Sequence, residues 1–206
     1  MLRIWGRLSS INVQKVVWCA DELGLPYERT DAGGNFGVVD TPEYLAMNPN
    51  GLVPVIEHDG FVLWESNAIV RYLAACHGDG WLWPTELRLR AEADRWMDWQ
   101  NFTYSPAMSA AFRGLVRTAP GERDVRAIEA SRRTSETAVA ILEAHLANRE
   151  YVAGGAFTMG DIPVALATQR WFGLPLEREE RPNLRRWLER LRARKGAARA
   201  LSLPVT

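Results

Sequence analysis

Three polar residues with side chains able to bind an anion lie together near the start of the chain. Ser9, Ser10 and Asn12 stand at the beginning of a predicted helix, over residues 11–23, that ends at Gly24. The first backbone N–H groups of a helix have no intrahelical partner, and the helix dipole favours negative charge there. Hydroxyl and amide side chains at this position therefore indicate a site for a small anion or a developing negative charge.

A second polar group follows a hairpin in the stretch NPNGLVPVIEHDGFVLWESNAIVRYL, residues 48–73. Pro54 interrupts the first strand at its start, where a residue without an N–H is tolerated. If the Val53–Pro54 bond is cis, the N–H and C=O of Val53 face outward and can pair with an extended peptide. Ser66, at a helix start, suits a carboxylate, and Glu65 suits an ammonium. One short peptide with a free amino acid end would satisfy both places.

The elements that must position these residues divide the chain into two parts. Up to residue 77 the order is β-α-β and then β-β-α, which predicts a thioredoxin-like α/β layer with a mixed sheet. The predicted strands are 2–5, 27–31, 53–57 and 61–64, and the helices are 11–23, 41–45 and one from residue 65. From residue 85 only helical periodicity remains, with helices predicted at 87–114, 125–146, 162–172 and 184–200.

The predicted fold class is therefore α/β plus all-α. A thioredoxin-like domain (1–77) is followed by a linker (78–84) and a helical bundle domain (85–206). Thr158-Met159-Gly160-Asp161 has the spacing of a capping box for the helix over 162–172. The Thr158 hydroxyl is expected to bond the backbone at Asp161, and the Asp161 carboxylate the backbone at Thr158.

The order of these motifs, NPNGLVPVI and then LWESNAIVRYL, resembles the glutathione site of the glutathione transferase family. The two-part plan extends the resemblance over nearly the whole chain. It implies glutathione as co-substrate, attack of its thiolate on a hydrophobic electrophile, a role in detoxification, and a homodimer built on the third and fourth helices. The glutathione-binding positions it implies are Leu52, Val53, Pro54, Glu65 and Ser66.

The helix body KVVWCADELGL, aligned with the serine-type classes of the family, places Ser10 at the position that activates the thiol. The likeness is to theta- and delta-like enzymes and to nu-like bacterial members, which also have an asparagine matching Asn12. Ser9 competes with Ser10 for this role. A hydroxyl donated to a thiolate is worth roughly 1.5–3 kcal/mol. At about 1.4 kcal/mol per unit this lowers the thiol pKa by roughly one to two units.

The electrophile is expected between the two domains, in a pocket whose candidate residues are Trp5, Leu8, Phe36, Trp96, Tyr104 and Phe112. One departure concerns the glycine carboxylate of glutathione. Many relatives carry a basic residue before the Val-Pro pair, whereas Gly51-Leu52 stands here. Lys15, Arg7 and His58 are the alternative cations, and the sequence does not rank them.

Two other functions compete with transfer. Glutathione-dependent reduction of disulfides or peroxides is one, because two glutathione molecules could supply both sulfur atoms. A non-catalytic binding module on the same fold is the other, and it predicts a damaged glutathione site.

The composition argues about possible partners, metal binding and location of the protein. The 25 basic and 25 acidic side chains balance, which argues against a nucleic-acid binder. No apolar run approaches the ~20 residues that span a bilayer, so no membrane association is expected. Cys19 and Cys76 lack metal-ligand spacing, which predicts no metal site and buried thiols in a reducing compartment. A cytoplasmic location follows from these points.

Overall fold

The computed structural model describes residues 1–205; Thr206, the last residue of the predicted helical domain, lies outside them. The N-terminal part contains a four-stranded sheet in the order β2-β1-β3-β4. β1 runs parallel to β2 and antiparallel to β3, and β4 is antiparallel to β3. The strands are β1 (Leu2–Trp5), β2 (Tyr27–Thr30), β3 (Val55–His58) and β4 (Phe61–Trp64). This is the mixed sheet that the sequence predicts.

Three helices accompany the sheet, namely α1 (Ile11–Glu22), α2 (Pro42–Met47) and α3 (Ser66–His77). The middle of α1 is buried because it packs both on α3 and on the helical part of the molecule. α2 begins where Thr41 accepts a hydrogen bond from the Tyr44 N–H at 3.3 Å. The starts of α1 and α3, which carry the polar residues of interest, are thus fixed by the main core.

The second part of the chain is helical. It contains α4 (Leu87–Trp99), α5 (Ser105–Ala107), α6 (Ser109–Phe112), α7 (Val125–His145), α8 (Asp161–Gly173), α9 (Pro182–Arg192) and α10 (Ala198–Ser202). The predicted order, a thioredoxin-like layer followed by a helical domain, is confirmed. The prediction of one helix over 87–114 is wrong, because π-helical turns at Gln100–Tyr104 and Arg113–Arg117 interrupt it. A π turn adds one residue to a turn and has no signal in hydrophobic spacing.

The last predicted helix, 184–200, is likewise divided. A turn separates α9 from α10, and Gly196 in that turn lies against the end of α1. A β-carbon at Gly196 would come within 2.7 Å of the Glu22 backbone nitrogen, so only glycine permits this approach. The turn between α9 and α10 therefore packs closely against the end of α1 at Glu22.

The predicted capping box at the start of α8 forms in modified form. As expected, Asp161 Oδ2 accepts a hydrogen bond from the Thr158 N–H at 2.9 Å. The Thr158 hydroxyl, however, accepts from the N–H of Gly160 at 3.3 Å instead of the N–H of Asp161, and it donates to Asp161 Oδ2 at 3.4 Å. Asp161 Oδ1 also accepts from the Val152 N–H and the Trp187 indole, both at 3.0 Å. Burial raises the pKa of Asp161 to about 6, against hydrogen bonds that lower it.

The two cysteines differ in environment. Cys19 is buried in α1, and burial raises the pKa of its thiol. Cys76 is exposed near the end of α3, so the prediction of a buried thiol is wrong there. Within residues 1–205, the structure contains no helix with the length and apolar character needed to cross a membrane.

Candidate active site

The loop before β3 is held by hydrogen bonds that converge on one carbonyl. The Asn48 amide and the Tyr44 hydroxyl both donate to the C=O of Leu52 at 2.8 Å. Asn48 Oδ1 in turn accepts from the N–H of Asn50 at 3.1 Å. The Val53–Pro54 bond that follows is cis. Within residues 1–205 the N–H and C=O of Val53 make no hydrogen bond, which leaves them for an extended ligand.

The start of α3 presents a carboxylate and a hydroxyl. Glu65, the residue before the helix, has φ of 70° and makes no capping hydrogen bond with its exposed side chain. A non-glycine residue in this left-handed region is uncommon, and such residues cluster at ligand sites. Ser66 is buried and begins the helix, so its N–H is among those with no intrahelical acceptor.

One small cavity collects the whole second group of predicted residues. Leu52, Val53, Pro54, Glu65 and Ser66 all line it. Three asparagines complete the wall, namely Asn12, Asn48 and Asn50. Of these, Asn12 comes from the first turn of α1, so the cavity joins the hairpin, the start of α3 and the start of α1.

A buried cation stands behind Ser66. The Lys15 side chain on α1 is 1% exposed, and its Nζ donates to the Ser66 hydroxyl at 3.4 Å. Burial lowers the pKa of Lys15 to about 7, and the charges of Arg170 and Arg71 act in the same direction. The Glu65 carboxylate opposes them. An anion bound at Ser66 would therefore meet a lysine whose protonation responds to it.

The start of α1 places the two serines differently. Ser10 is the residue before the helix, and its hydroxyl oxygen accepts no capping hydrogen bond from the first turn. Ser9 lines a separate small cavity with Arg170 and with Leu203 to Val205 of the C-terminal segment. Asn12 is exposed and lies in the first turn. Neither Ser9 nor Ser10 belongs to the wall of the small cavity that Asn12 lines, and the role of either hydroxyl stays a prediction.

A larger cleft opens next to the small cavity. It encloses about 550 Å³ between the start of α1 and the helical part, from Gln100 to Arg113 and at Arg170 on α8. Asn12 lines both this cleft and the small cavity. A group bound in the small cavity can thus project its reactive atom toward a second molecule in the cleft.

Comparison with known proteins identifies this arrangement. A model of the glutathione S-transferase N-terminal domain matches residues 1–75, and one of the C-terminal domain matches residues 103–195. The chain is 45% identical over 208 residues to glutathione S-transferase GstB of Escherichia coli K12, covering 100% of both. The chain belongs to the glutathione S-transferase family. It is a glutathione-dependent enzyme, as the sequence resemblance predicts.

Further relatives agree with this assignment. Glutathione S-transferase 3 of Zea mays is 31% identical over 201 residues, which cover 94% of this chain and 90% of that protein. A theta-class glutathione S-transferase from Xanthomonas axonopodis pv. citri, solved with glutathione bound, is 45% identical with a TM-score of 0.96. It aligns over 100% of this chain and 99% of its own. The residue that activates the thiol in this chain stays a prediction.

Only part of the predicted electrophile pocket lies on the wall of the cleft. Phe112 lies on the wall of the cleft. Trp96 instead packs against Trp99 and His145, with ring centroids 5.0 and 4.5 Å away. Tyr104 is fully buried inside the helical core. Neither side chain is on the cleft wall, so both assignments are corrected: Trp96 is on the buried face of α4, and Tyr104 belongs to the π-helical turn that follows it.

The three N-terminal members of the predicted pocket lie elsewhere too. Trp5 packs on a small cluster with Ala32 and Val55 on the sheet. Leu8 packs against the main core, and its carbonyl accepts a hydrogen bond from Gln14. Phe36 is 55% exposed on the glycine-rich loop. None of the three lines the described cleft.

The three side chains considered as partners of the glycine carboxylate of glutathione lie in different parts of the structure. His58 Nδ1 contacts the Tyr72 hydroxyl at 3.1 Å, at the opposite end of β3 from Pro54. The Arg7 guanidinium lies over the backbone of Gly33-Gly34. Lys15 is the one that contacts a residue of the glutathione cavity. Arg113 and Arg170, which the sequence analysis did not name, also lie on the cleft wall. For Arg170 the available signal was a charged side chain within the mostly apolar segment 162–172.

Proposed function

We propose that this transferase binds glutathione along Val53, ionises its thiol beside Ser10, and directs the thiolate at an electrophile in the cleft by Phe112. Residues 1–77 would supply the glutathione site. Residues 85–206 would supply most of the electrophile site, with the linker at 78–84 between them. The observation that carries this proposal is that Asn12 lines both the small cavity and the cleft.

The peptide part of glutathione matches the polar groups of the small cavity. The cysteinyl residue would pair with the free N–H and C=O of Val53 as a short strand pairs with a sheet edge. The γ-glutamyl carboxylate would bind the N–H and hydroxyl of Ser66 at the start of α3, with Lys15 behind it. The γ-glutamyl ammonium would then lie near the exposed carboxylate of Glu65.

The thiol ionises because the start of α1 stabilises its anion. A free thiol has a pKa of about 8.5, so only a few per cent is thiolate at neutral pH. One hydrogen bond from Ser10 lowers that pKa by roughly one to two units. The helix N-terminus contributes about 0.3–1 kcal/mol more, and Asn12 offers a second donor. No protein base is needed for this step.

Steady-state kinetics with a neutral aryl halide distinguish the role of the α1 start in ionising the thiol from the role of the α3 start in binding glutathione. Ser66→Ala should raise KM for glutathione about tenfold while kcat at saturation changes little, because a ground-state carboxylate contact is lost. Ser10→Ala should lower kcat about tenfold or more at neutral pH, because less glutathione is ionised on the enzyme. Equal effects of both variants on KM alone would contradict the assignment of Ser10.

We further propose a homodimer formed through α3 and α4, and a cytoplasmic location. Arg71 on α3 joins the two helices into one face, since it donates to Asp94 and Asp98 of α4 at 2.6 Å each. Phe102, just beyond α4, is 76% exposed in the single chain. Both cysteines are free thiols, which supports a reducing compartment.

A further inference from the structure

The cleft beside the glutathione cavity is lined by positive charge. Arg113, from the turn after α6, and Arg170, from α8, both form part of its wall. No aspartate or glutamate belongs to that wall within the described chain. A cleft built only for neutral apolar electrophiles would have no need of two guanidinium groups.

The guanidinium groups of Arg170 and Arg117 share one aromatic ring. The Arg170 guanidinium carbon lies 4.1 Å from the centre of the Phe112 ring, and that of Arg117 lies 4.9 Å from it. The ring face attracts cations, with an energy of roughly 0.5–2 kcal/mol. Phe112 therefore accounts for where Arg170 and Arg117 are held. Among residues 1–205 neither guanidinium donates a hydrogen bond to an acceptor.

None of the three arginines has an anionic partner among the residues that the structure describes. Among residues 1–205 no carboxylate lies within 4 Å of the guanidinium of Arg113, Arg117 or Arg170. Arg113 donates only to the Ser109 hydroxyl, at 2.9 and 3.3 Å. A guanidinium has five N–H donors, so most of those of Arg113 remain for a ligand.

The lack of a partner is costly at Arg170. Burial lowers its pKa to about 10, and the charge of Arg117 acts in the same direction. Arg181, also in the helical part, shows the alternative, since it donates to the Glu136 carboxylate at 2.8 Å. An anion bound between Arg113 and Arg170 would remove this cost, through charge-assisted and bidentate hydrogen bonds.

We propose that the cleft selects electrophiles that carry a carboxylate or a similar single anionic group, bound by Arg113 and Arg170. This inference rests on the proposed function and narrows its substrate class. With an aryl or alkyl halide, the thiolate sulfur beside Asn12 attacks the carbon that bears the halogen. The C–S bond forms, the C–halogen bond breaks, and its electron pair leaves with the halide. No proton is transferred, and Phe112 packs against the apolar part of the substrate.

A matched pair of electrophiles tests the proposal with the full-length enzyme. 4-Chloro-3-nitrobenzoate and 4-chloro-3-nitrobenzamide share their ring and leaving group and differ in charge. Each kcat/KM is divided by the uncatalysed rate with glutathione, which removes the difference in intrinsic reactivity. The wild type should favour the benzoate about tenfold or more. Arg113→Gln and Arg170→Gln should each remove most of that preference while the rate with the benzamide stays within about threefold.

Two further variants distinguish the loss of a charge from a general loss of folding. Arg170→Lys retains a charge and should recover part of the benzoate rate. Arg133→Gln, on the exposed face of α7, should change neither rate. The conjugates provide a second readout, since the product from the benzoate should bind the wild type about tenfold more tightly than the product from the benzamide.

Three results would overturn the proposal. The first is an enzyme that turns over the benzamide with no preference for the benzoate. The second is an equal loss of both rates in the arginine variants. The third is a rise in KM for glutathione without a change for the electrophile, which would assign the arginines to the glycine carboxylate. Turnover of neither probe, together with an unshifted thiol pKa, would overturn the proposed function as well.

Discussion

The Nζ of Lys15 lies 3.4 Å from the hydroxyl oxygen of Ser66, in a fully buried position behind the glutathione cavity. The charged groups around it are Arg170 of α8, Glu65 before α3 and Arg71 of α3. Burial holds the pKa of Lys15 near 7 in the free enzyme. A carboxylate bound at Ser66 adds a negative charge on the near side and raises that pKa.

The consequence is a pH dependence of glutathione binding. Below about pH 7 Lys15 is protonated both in the free enzyme and in the complex, so it does not make the affinity depend on pH. Above pH 7 the complex holds a proton that the free enzyme has lost, so affinity falls as pH rises. S-Methylglutathione, which has no ionisable thiol, should bind about tenfold more weakly at pH 8.5 than at pH 6.5 by calorimetry.

Lys15→Met is the matched variant for this prediction. It should bind S-methylglutathione more weakly at pH 6.5 and lose most of the slope above pH 7. The ligand amino group titrates equally with both proteins, so the difference between their profiles isolates Lys15. Identical profiles for the two proteins would rule out a role for Lys15 in carboxylate binding.

The cap of α8 should dominate the stability of the helical part. Asp161→Asn removes a carboxylate that accepts from Val152, Thr158 and Trp187 in the core. The loss should lower the free energy of unfolding by about 3 kcal/mol, measured by urea denaturation. Asp124→Asn, at the exposed start of α7, is the control and should cost about 1 kcal/mol or less. Similar losses in both variants would mean that burial of Asp161 has no special weight.

The proposed dimer depends on exposed apolar surface next to α4. Light scattering should give the wild type twice the chain mass of 23.2 kDa. Phe102→Ser should weaken association about tenfold or more, because a large apolar side chain is lost from the interface. Val125→Ser removes an equally exposed side chain, 71% exposed at the start of α7, and should leave the mass unchanged. A monomeric wild type would refute the dimer.

The sequence predicted the parts of this fold whose signals are local. Proline at the start of β3, serine before a helix and glycine after a helix each act through their own backbone geometry. The two-part plan and the extents of β1 and β4 follow from such signals. The residues around Val53 and Ser66 then meet in one cavity because the β3–β4 hairpin pairs Val55 with Trp64, which places the loop before β3 next to the start of α3.

What the sequence could not supply depends on contacts between distant elements. The π-helical turn at Gln100–Tyr104 moves Tyr104 into the core, and no hydrophobic pattern marks such a turn. The break near Gly196 is set by its approach to Glu22. Arg170 reaches the cleft only because α8 packs beside α1, so its absence from the predicted pocket has the same cause.

Ser10 is proposed to stabilise the thiolate of bound glutathione. Titration of thiolate absorbance in the ultraviolet, with wild type, Ser10→Ala, Ser9→Ala and Asn12→Ala side by side, tests it most directly. The wild type should lower the thiol pKa by about one unit or more, and Ser10→Ala should restore it toward the free value of about 8.5. Ser9→Ala should leave the shift intact. A shift that survives Ser10→Ala, or a wild type without any shift, would contradict the account.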